Sequence, residues 1–425
     1  MTPVLIESVL CAALLIVSFY GLGGLFLRGE ESSVSASLKI ILGFSLFCGL
    51  VLIWNFFQPV TYLLPAITMV IGTALALFRL KPFLRRIRER KYALFFTLVV
   101  FVLFATWATA LAATTVPAAD CGLYHVPSME WAKSHPIVLG LGNLHGRLAF
   151  NQCLFSIAGS FDNPYTLIDG RWFTSVMIGS VCVVVFCILS ASYLYRESRV
   201  GIIGFVASVT SLVWLSFFVV NHNIATPTSD SLNGFLYALI ATLGACSLDQ
   251  RFRETILAPP IRTPFFIALG SLLALLVCFK LSSAIFLASL CLILLILLIR
   301  KAHLKPALSF VLALAFFGII FAVRGYLLSG YPAYPSSFGS IDFSWTVESS
   351  QVKGEMRAVR GWARDPGPDW GTALERTDWI GSWWERNFKN YNQTFFLPLA
   401  VFFSSIPVFL FWFFWEGKKR VSEAL

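Results

Sequence analysis

The chain has 425 residues, of which 57% are hydrophobic and only 13% are charged, and its mean hydropathy is +0.77. These values exclude an ordinary soluble domain and predict a polytopic membrane protein. The net charge of +10 does not indicate a nucleic-acid partner, because the excess Lys and Arg falls in short loops between hydrophobic runs, where it sets membrane orientation.

Hydrophobic runs predict an all-α protein with about 11 transmembrane helices, since a helix needs ~20 residues to cross a bilayer core. The runs, several of which are short, span residues 3–27, 39–57, 60–79, 92–115, 173–195, 201–220, 232–248, 263–279, 284–299, 306–323 and 396–415. The first run lacks a basic start and a small-residue cleavage site, so we interpret it as a retained helix and not as a signal peptide.

Charged loops orient these helices. The most basic short loop, RLKPFLRRIRERK at 79–91, belongs in the cytoplasm by the positive-inside rule. This choice also places the other basic loops and the C-terminus in the cytoplasm, and the N-terminus outside. Three polar, Lys-poor segments, at 116–172, 221–230 and 324–395, then share the extracytoplasmic face. We therefore expect the functional site on that face.

The last outer segment predicts two short amphipathic helices. In the first, apolar residues recur at helical spacing beside Arg357, Arg360 and Arg364, and the sequence DPGPD at 365–369 ends the helix. The second carries Ile380, Trp383, Trp384 and Phe388 on one side. Clustered Trp is typical of a helix that lies in the membrane interface, so membrane lipids are expected partners.

The most polar compact stretch runs from Asp120 to Asn151, and we expect the chemistry there, because ionisable groups in a membrane protein line aqueous or substrate-filled cavities. Asp120 follows a predicted helix by a few residues, where a carboxylate can act as a general base; a capping or turn role is equally open. If the next residues are helical, His125 and Glu130 lie one to three turns further on. Either would orient Asp120 or bind a metal, although no metal-ligand spacing is present.

Four more polar residues on this face are candidates for substrate binding. Arg147, with His145 and Asn151 nearby, suits phosphate because its planar fork donates two parallel hydrogen bonds; a surface Arg paired with an acid is the alternative. Asp230 begins the seventh hydrophobic run and is also an ordinary helix N-cap.

Two cations and an aromatic turn complete the candidate set. Lys280 stands in FKLSS (279–283) between hydrophobic runs, where an ammonium is costly unless it snorkels or meets an anion. Arg324 follows the tenth run and precedes a turn that contains Tyr331. Together they would grip a lipid-linked phosphate. Cys121 and Cys153 share the polar loop, either as a disulfide or as two free thiols.

These residues resemble the GT-C superfamily of membrane glycosyltransferases. The sequences LYH (123–125), GLGNLHGRLAFN (140–151), SGYPAYP (329–335) and RGWARDPG (360–367) resemble, more closely, a largely uncharacterised group of bacterial membrane proteins described as glycosyltransferases. The resemblance spans roughly 115–390. It implies four parts: added helices at 1–91, a GT-C-like module at 92–323, an outer loop at 324–395, and a last helix with a basic tail at 396–425.

The resemblance implies an inverting transfer of sugar from a polyprenyl-phosphate donor to a hydroxyl of a glycan or lipid-linked acceptor, at the outer face of the bacterial inner membrane. Asp120 would be the base, Lys280 and Arg324 the phosphate binders, and Asp230 a polar residue near the acceptor. Many GT-C proteins have two adjacent acids, whereas Cys121 follows Asp120 here. The participation of a divalent cation is therefore open.

Two other functions fit the same composition. A glycan polymerase or ligase of the O-antigen type would use arginines of the outer loop, such as Arg357. A transporter or flippase ranks lowest, because such proteins place charges near the bilayer midplane, often in two repeated halves, and the sequence contains no internal repeat.

Overall fold

The structure, a computed structural model, describes residues 2–27, 32–78, 91–115, 119–194, 224–247, 250–285, 287–288, 291–292, 304–365 and 370–385. The described residues form helices and turns and contain no strand, which confirms the predicted all-α class. Numbered along this part of the chain, the α-helices are α1 (Thr2–Gly23), α2 (Ser33–Trp54), α3 (Leu63–Leu77), α4 (Lys91–Thr114), α5 (Val126–Ser134), α6 (Leu154–Phe161), α7 (Gly170–Leu194), α8 (Ser229–Cys246), α9 (Gln250–Leu257), α10 (Pro259–Phe279), α11 (Leu304–Ser329), α12 (Ser349–Arg364) and α13 (Trp379–Glu385).

Six of these helices, α1, α2, α4, α7, α10 and α11, are long and apolar enough to cross a membrane, and α3 and α8 contain shorter apolar helices. The protein is therefore a multi-pass membrane protein. The predicted runs at 201–220 and 396–415 lie outside the described residues, as does most of the run at 284–299. The total of 11 spans accordingly stays a prediction.

Glycines let the first three helices pack at very short range. A Cβ atom on Gly43 of α2 would lie 1.9 Å from the carbonyl oxygen of Phe19 in α1. A Cβ atom on Gly21 would lie 1.9 Å from the carbonyl oxygen of Gly72 in α3. Such close backbone approach is typical of membrane helix pairs, in which small residues bring large areas into van der Waals contact.

One hydrophobic core continues from these helices into the rest of the bundle. The ring of Phe47 in α2 lies 5.5 Å from that of Phe161 in α6, and Phe104 in α4 lies 6.3 Å from Phe235 in α8. Phe47, Phe161 and Phe235 belong to a single buried cluster, against which Phe104 packs. The domain boundaries proposed from the sequence stay predictions, and packing is continuous across the one at 91/92.

The polar segment between α4 and α7 lies across the ends of several helices and is fixed there by backbone hydrogen bonds. Ile137 donates to Asn55, just beyond α2, at 3.0 Å. Gly140 donates to Leu327 in α11 at 2.8 Å, and Cys153 donates to Cys278 in α10 at 3.0 Å. Segments that are far apart in the sequence therefore meet at one end of the bundle.

The helix α11 runs through Arg324 to Ser329, so the expected position of Arg324 just after its helix was wrong. The sequence VRGYLLS continues the helical pattern after the charged residue, and the helix ends only where Gly330 adopts a positive φ of 82°. Arg324 therefore projects from a helix more than one turn before its end, and its side chain is buried.

The two helices predicted in the last outer segment are present. α12 ends at Arg364, directly before the predicted stop, and buries Val352 against Tyr334 and neighbouring residues. α13 exposes Ile380 and Trp384, in agreement with a helix that presents apolar side chains outward. Phe388 lies outside the described residues.

Candidate functional site

The segment after Asp120 is helical, as expected, but its first turn is unusual. Residues Cys121–His125 form a π-helical turn, which α5 then continues. Asp120 takes the N-cap position of this turn without capping it through its side chain. The carboxylate therefore stays available for other contacts. Single π-turns inside helices occur frequently at functional sites.

Asp120 forms an ion pair with Arg147. The distance from Arg147 Nη1 to Asp120 Oδ1 is 3.4 Å, and the two side chains are 26% and 52% exposed. The Arg147 guanidinium also lies over the ring of Tyr124, 5.5 Å from its centre, and the Arg147 backbone N–H donates to Nδ1 of His145. These contacts combine an accessible carboxylate with a cation held in place on two sides.

A second ion pair joins Asp230, in the first turn of α8, to Lys280, directly after α10. Asn233, one turn further along α8, donates to the carbonyl of Leu276 at 3.0 Å and to the hydroxyl of Ser283 at 2.8 Å. This hydrogen bonding ties the start of α8 to the turn around Lys280. The Lys280 side chain is 37% exposed, so its ammonium stays within reach of a ligand.

His125 lies in the electrostatic field of both ion pairs. Its imidazole is buried, and burial lowers the pKa of His125 to about 4. The smaller contributions to this pKa come from Asp120, Asp230, Arg147 and Lys280. Four charged residues predicted from the sequence therefore act electrostatically on one buried histidine, whose Nδ1 has no hydrogen-bond partner in the described part of the chain.

Tyr124 and this histidine pack together in a cluster of aromatic residues. Its ring meets that of His125 edge-on at 4.4 Å and lies 5.7 Å from Phe150 and 6.1 Å from Phe155. Burial, together with the negative charge of Asp120, raises the pKa of Tyr124 to about 12. Its hydroxyl is thus neutral and can only donate or accept a hydrogen bond near neutral pH.

Arg324 occupies a different environment from the two ion pairs. It is 6% exposed and donates to neutral oxygen atoms: Nη1 to Asn55 at 3.0 Å, Nη2 to Ser156 at 3.1 Å and Nε to Asn151 at 3.4 Å. Asn151 has a positive φ of 52° and donates in turn to the carbonyl of Phe321. The buried guanidinium therefore organises a polar network inside the bundle.

Three other predicted residues make their contacts elsewhere. Glu130 pairs with Lys133, which also pairs with Asp162. The Tyr331 hydroxyl donates to the carbonyl of Val347 at 3.1 Å, and Arg357 lies on the exposed face of α12. The structure does not bring these side chains to the ion pairs of Asp120 and Lys280.

A small pocket is lined by residues of both the Arg147 ion pair and the Arg324 network. Its cavity volume is about 40 Å³. Its polar lining residues include Asn55, Asn151, Gln152 and Arg147. Trp131 and several aliphatic side chains form the walls.

Sequence reasoning missed several residues of this region. Asn55 follows directly after a hydrophobic helix and resembles an ordinary helix end, and Ser156 stands inside the apolar sequence CLFSIAG. Glu355 of α12 approaches Gly146 so closely that a Cβ atom there would lie 2.8 Å from its Oε1. Only the polarity of Asn55 next to an apolar run was a usable signal.

The described cysteines are free thiols, and the described acids form no metal-binding group. Cys121 and Cys153 are both free and buried, and Cys153 borders Cys278. Among the described residues, no three His, Cys, Asp or Glu side chains are grouped so that they could hold a metal ion. Asp120 and Asp230 each already have a cationic partner, Arg147 and Lys280 respectively.

Comparison with known proteins adds a family but no activity. Over residues 4–424 the chain matches a family described as a domain of unknown function, DUF8201. No curated protein and no solved structure matches the chain. Because the match covers nearly the whole sequence, the chain belongs to the DUF8201 family.

Proposed function

We propose that this protein is an inverting glycosyltransferase that moves a sugar from a polyprenyl-phosphate donor to an acceptor hydroxyl on the outer face of the bacterial inner membrane. The observation that carries the proposal is the presence of two ion pairs, Asp120 with Arg147 and Asp230 with Lys280, which both act electrostatically on the buried His125. An exposed carboxylate and a partly exposed ammonium at one end of a membrane bundle are the groups that such a transfer requires.

In this mechanism the acceptor hydroxyl attacks the anomeric carbon while Asp120 takes its proton. The new bond joins the acceptor oxygen to the anomeric carbon, and the bond from that carbon to the phosphate oxygen breaks. Lys280 stabilises the negative charge that develops on the leaving phosphate, and it is free to exchange Asp230 for phosphate because both side chains are partly exposed. Arg147 holds Asp120 in position.

Arg324 has a positioning role in this proposal. Its guanidinium is buried and already donates to Asn55, Asn151 and Ser156, whereas Lys280 is partly exposed. A polymerase or ligase would instead use Arg357, which lies on the exposed face of α12.

The test uses the full chain in liposomes, with polyprenyl-phosphate sugars carrying a radioactive label and lipid extract from the source cells as acceptor. We expect labelled product with the native chain and a loss of about 10²-fold or more with Asp120→Asn, in line with the usual contribution of a general base. Asp378→Asn, at an exposed acid far along the chain, is the matched control. A native transfer rate in Asp120→Asn would show that Asp120 is not the base. A larger loss of transfer in Arg357→Ala than in Asp120→Asn would favour the polymerase or ligase.

A further inference from the structure

The start of α12 is fixed to the end of the spanning helix α11. The Val347 backbone N–H donates to the carbonyl of Ser329 at 2.9 Å, and the Tyr331 hydroxyl donates to the carbonyl of Val347 at 3.1 Å. Val352, near the start of α12, is buried in the same cluster as Tyr331 and Tyr334. Because Ser329 is the last residue of a helix that is long and apolar enough to cross the membrane, these contacts hold α12 close to the membrane surface.

One face of α12 passes from buried to exposed along the helix. Apolar residues share this face at helical spacing: Val352, Met356, Val359 and Ala363. Val352 is 1% exposed, whereas Val359 is 44% exposed, and a helix of this length places Val359 about 10 Å beyond Val352. Met356, between them, is half-buried, and Ala363, beyond them, is exposed. The second half of α12 therefore extends past the described residues that cover its first half.

Basic side chains flank this apolar face. Lys353, Arg357 and Arg360 follow one another at helical spacing, so they lie on one side of α12. All three are exposed, and none of them forms an ion pair with a described residue. Trp362, which is 47% exposed, lies on the other side of the apolar face. Cations and a Trp beside an exposed apolar face are typical of a helix that lies in the interface of an anionic membrane.

The short helix α13 adds further exposed apolar side chains beside α12. Arg364, the last residue of α12, donates from Nη1 to the carbonyl of Ala373 at 3.3 Å, and its guanidinium lies over the ring of Trp379, 5.2 Å from its centre. These contacts attach α13 to the end of α12. Ile380 is 59% exposed and Trp384 is 55% exposed. The two helices thus present one basic side and several exposed apolar residues.

We propose that the second half of α12, together with α13, docks onto the anionic phospholipid headgroups of the bilayer beside the bundle. Val359 and Ala363 enter the membrane interface, and Lys353, Arg357 and Arg360 bind the headgroup phosphates. A soluble anionic polymer would satisfy the basic side chains but would leave the apolar face in water, so a bilayer fits both features. This inference does not depend on the proposed sugar transfer.

Spin labels on the full chain in liposomes of phosphatidylglycerol test this docking. Cys11 and Cys291, the two cysteines that are partly exposed, are first replaced by serine. A label at Val359→Cys should then collide more often with oxygen, which concentrates in the bilayer, than with a water-soluble nickel chelate. Gly354→Cys is the control on the opposite face of α12, where nothing lies within 4 Å of a Cβ atom, and its label should show the reverse preference.

Lipid charge tests the basic side chains separately. A basic side chain near an anionic surface favours binding about fivefold, so Arg357→Gln and Arg360→Gln should each lower the ratio of docked to undocked helix by about that factor. Phosphatidylcholine liposomes should also lower the oxygen preference of the Val359→Cys label. An equal oxygen preference in the two lipids would overturn the role of the arginines.

Two results would overturn the docking itself. The first is a nickel preference at Val359→Cys as strong as that at Gly354→Cys, which would place the apolar face in water or against a soluble polymer. The second is shielding of the Val359→Cys label from both reagents, with dipolar broadening between labels, which would show that a second copy of the chain covers this face.

Discussion

Arg324 Nη1 donates a hydrogen bond of 3.0 Å to Oδ1 of Asn55, which joins two residues 269 positions apart in the chain. The contact links the first helices of the protein to α11 within the bundle. Ser156 reinforces it, because its hydroxyl donates to the same Asn55 oxygen at 3.1 Å and accepts from Arg324 Nη2. A buried cation whose described partners are neutral is costly, so each of these hydrogen bonds matters to the stability of the fold.

We expect Arg324→Met to lower the free energy of unfolding by about 2–4 kcal/mol, because the buried oxygen of Asn151 loses its donor and those of Asn55 and Ser156 each lose a charged donor. Arg324→Lys should lose less, since one charged donor remains. Thermal unfolding in detergent measures both changes. Arg357→Met, at an exposed arginine, should change stability by no more than about 0.5 kcal/mol. Equal melting temperatures for Arg324→Met and the native chain would contradict a structural role for this network.

The buried His125 makes stability depend on pH. Its pKa is lowered from 6.5 to about 4 in the folded protein, so protons bind preferentially to the unfolded chain. The neutral form is stabilising above pH 6.5, and this stability falls as the pH drops from 6.5 towards 4, by up to about 3 kcal/mol.

Melting temperatures at pH 7, 5 and 4 measure this effect, and His125→Gln should flatten the decline. His135→Gln, at an exposed histidine, serves as the control and should retain the full decline. An unchanged pH profile in His125→Gln would show that other groups cause the acid sensitivity.

Hydrophobic runs predicted much of the fold, because hydrophobicity is a local property of the sequence. Sequence reasoning also singled out the four charged residues that form the two ion pairs. Asp120, Asp230 and Lys280 lie close to hydrophobic runs, and Arg147 lies in the polar stretch from Asp120 to Asn151. The pairing itself was not predicted. It depends on how a loop lies across helix ends, which no local pattern encodes.

The residues that sequence reasoning missed share one physical property: their role arises only from packing. Asn55 and Ser156 become important because Arg324 is buried beside them, and the burial of Arg324 depends on α11 continuing past its charged residue. Glu355 becomes part of the region only because Gly146 has no side chain. Such contacts between residues far apart in the sequence cannot be predicted from a local sequence pattern.

Gly146 sets how closely α12 approaches the segment of Arg147. A Cβ atom at this position would lie 2.8 Å from Oε1 of Glu355 and 2.9 Å from the hydroxyl oxygen of Tyr334. We expect Gly146→Ala to weaken the docking of α12 by about 1–3 kcal/mol, and to increase the rate at which a protease cleaves α12 in detergent.

The control for this substitution is Gly354→Ala, because nothing lies within 4 Å of a Cβ atom on Gly354. In the middle of α12, alanine should stabilise the helix by about 0.5–1 kcal/mol and slow its cleavage. The double variant Gly146→Ala with Glu355→Ala should recover part of the lost protection. Faster cleavage in Gly354→Ala, or no change in Gly146→Ala, would contradict this account of the contact.

The ion pair of Lys280 with Asp230 should matter to activity much more than to stability. Its side chains are 37% and 52% exposed, so Lys280→Met should lower the free energy of unfolding by no more than about 1 kcal/mol. If Lys280 stabilises the leaving phosphate, the same variant should lose about 10²-fold in the rate of sugar transfer. Lys133→Met is the matched control, because Lys133 also pairs with carboxylates, those of Glu130 and Asp162, and should keep the native transfer rate. A native transfer rate in Lys280→Met, or an equal loss of transfer in Lys133→Met, would contradict the role of Lys280 in stabilising the leaving phosphate.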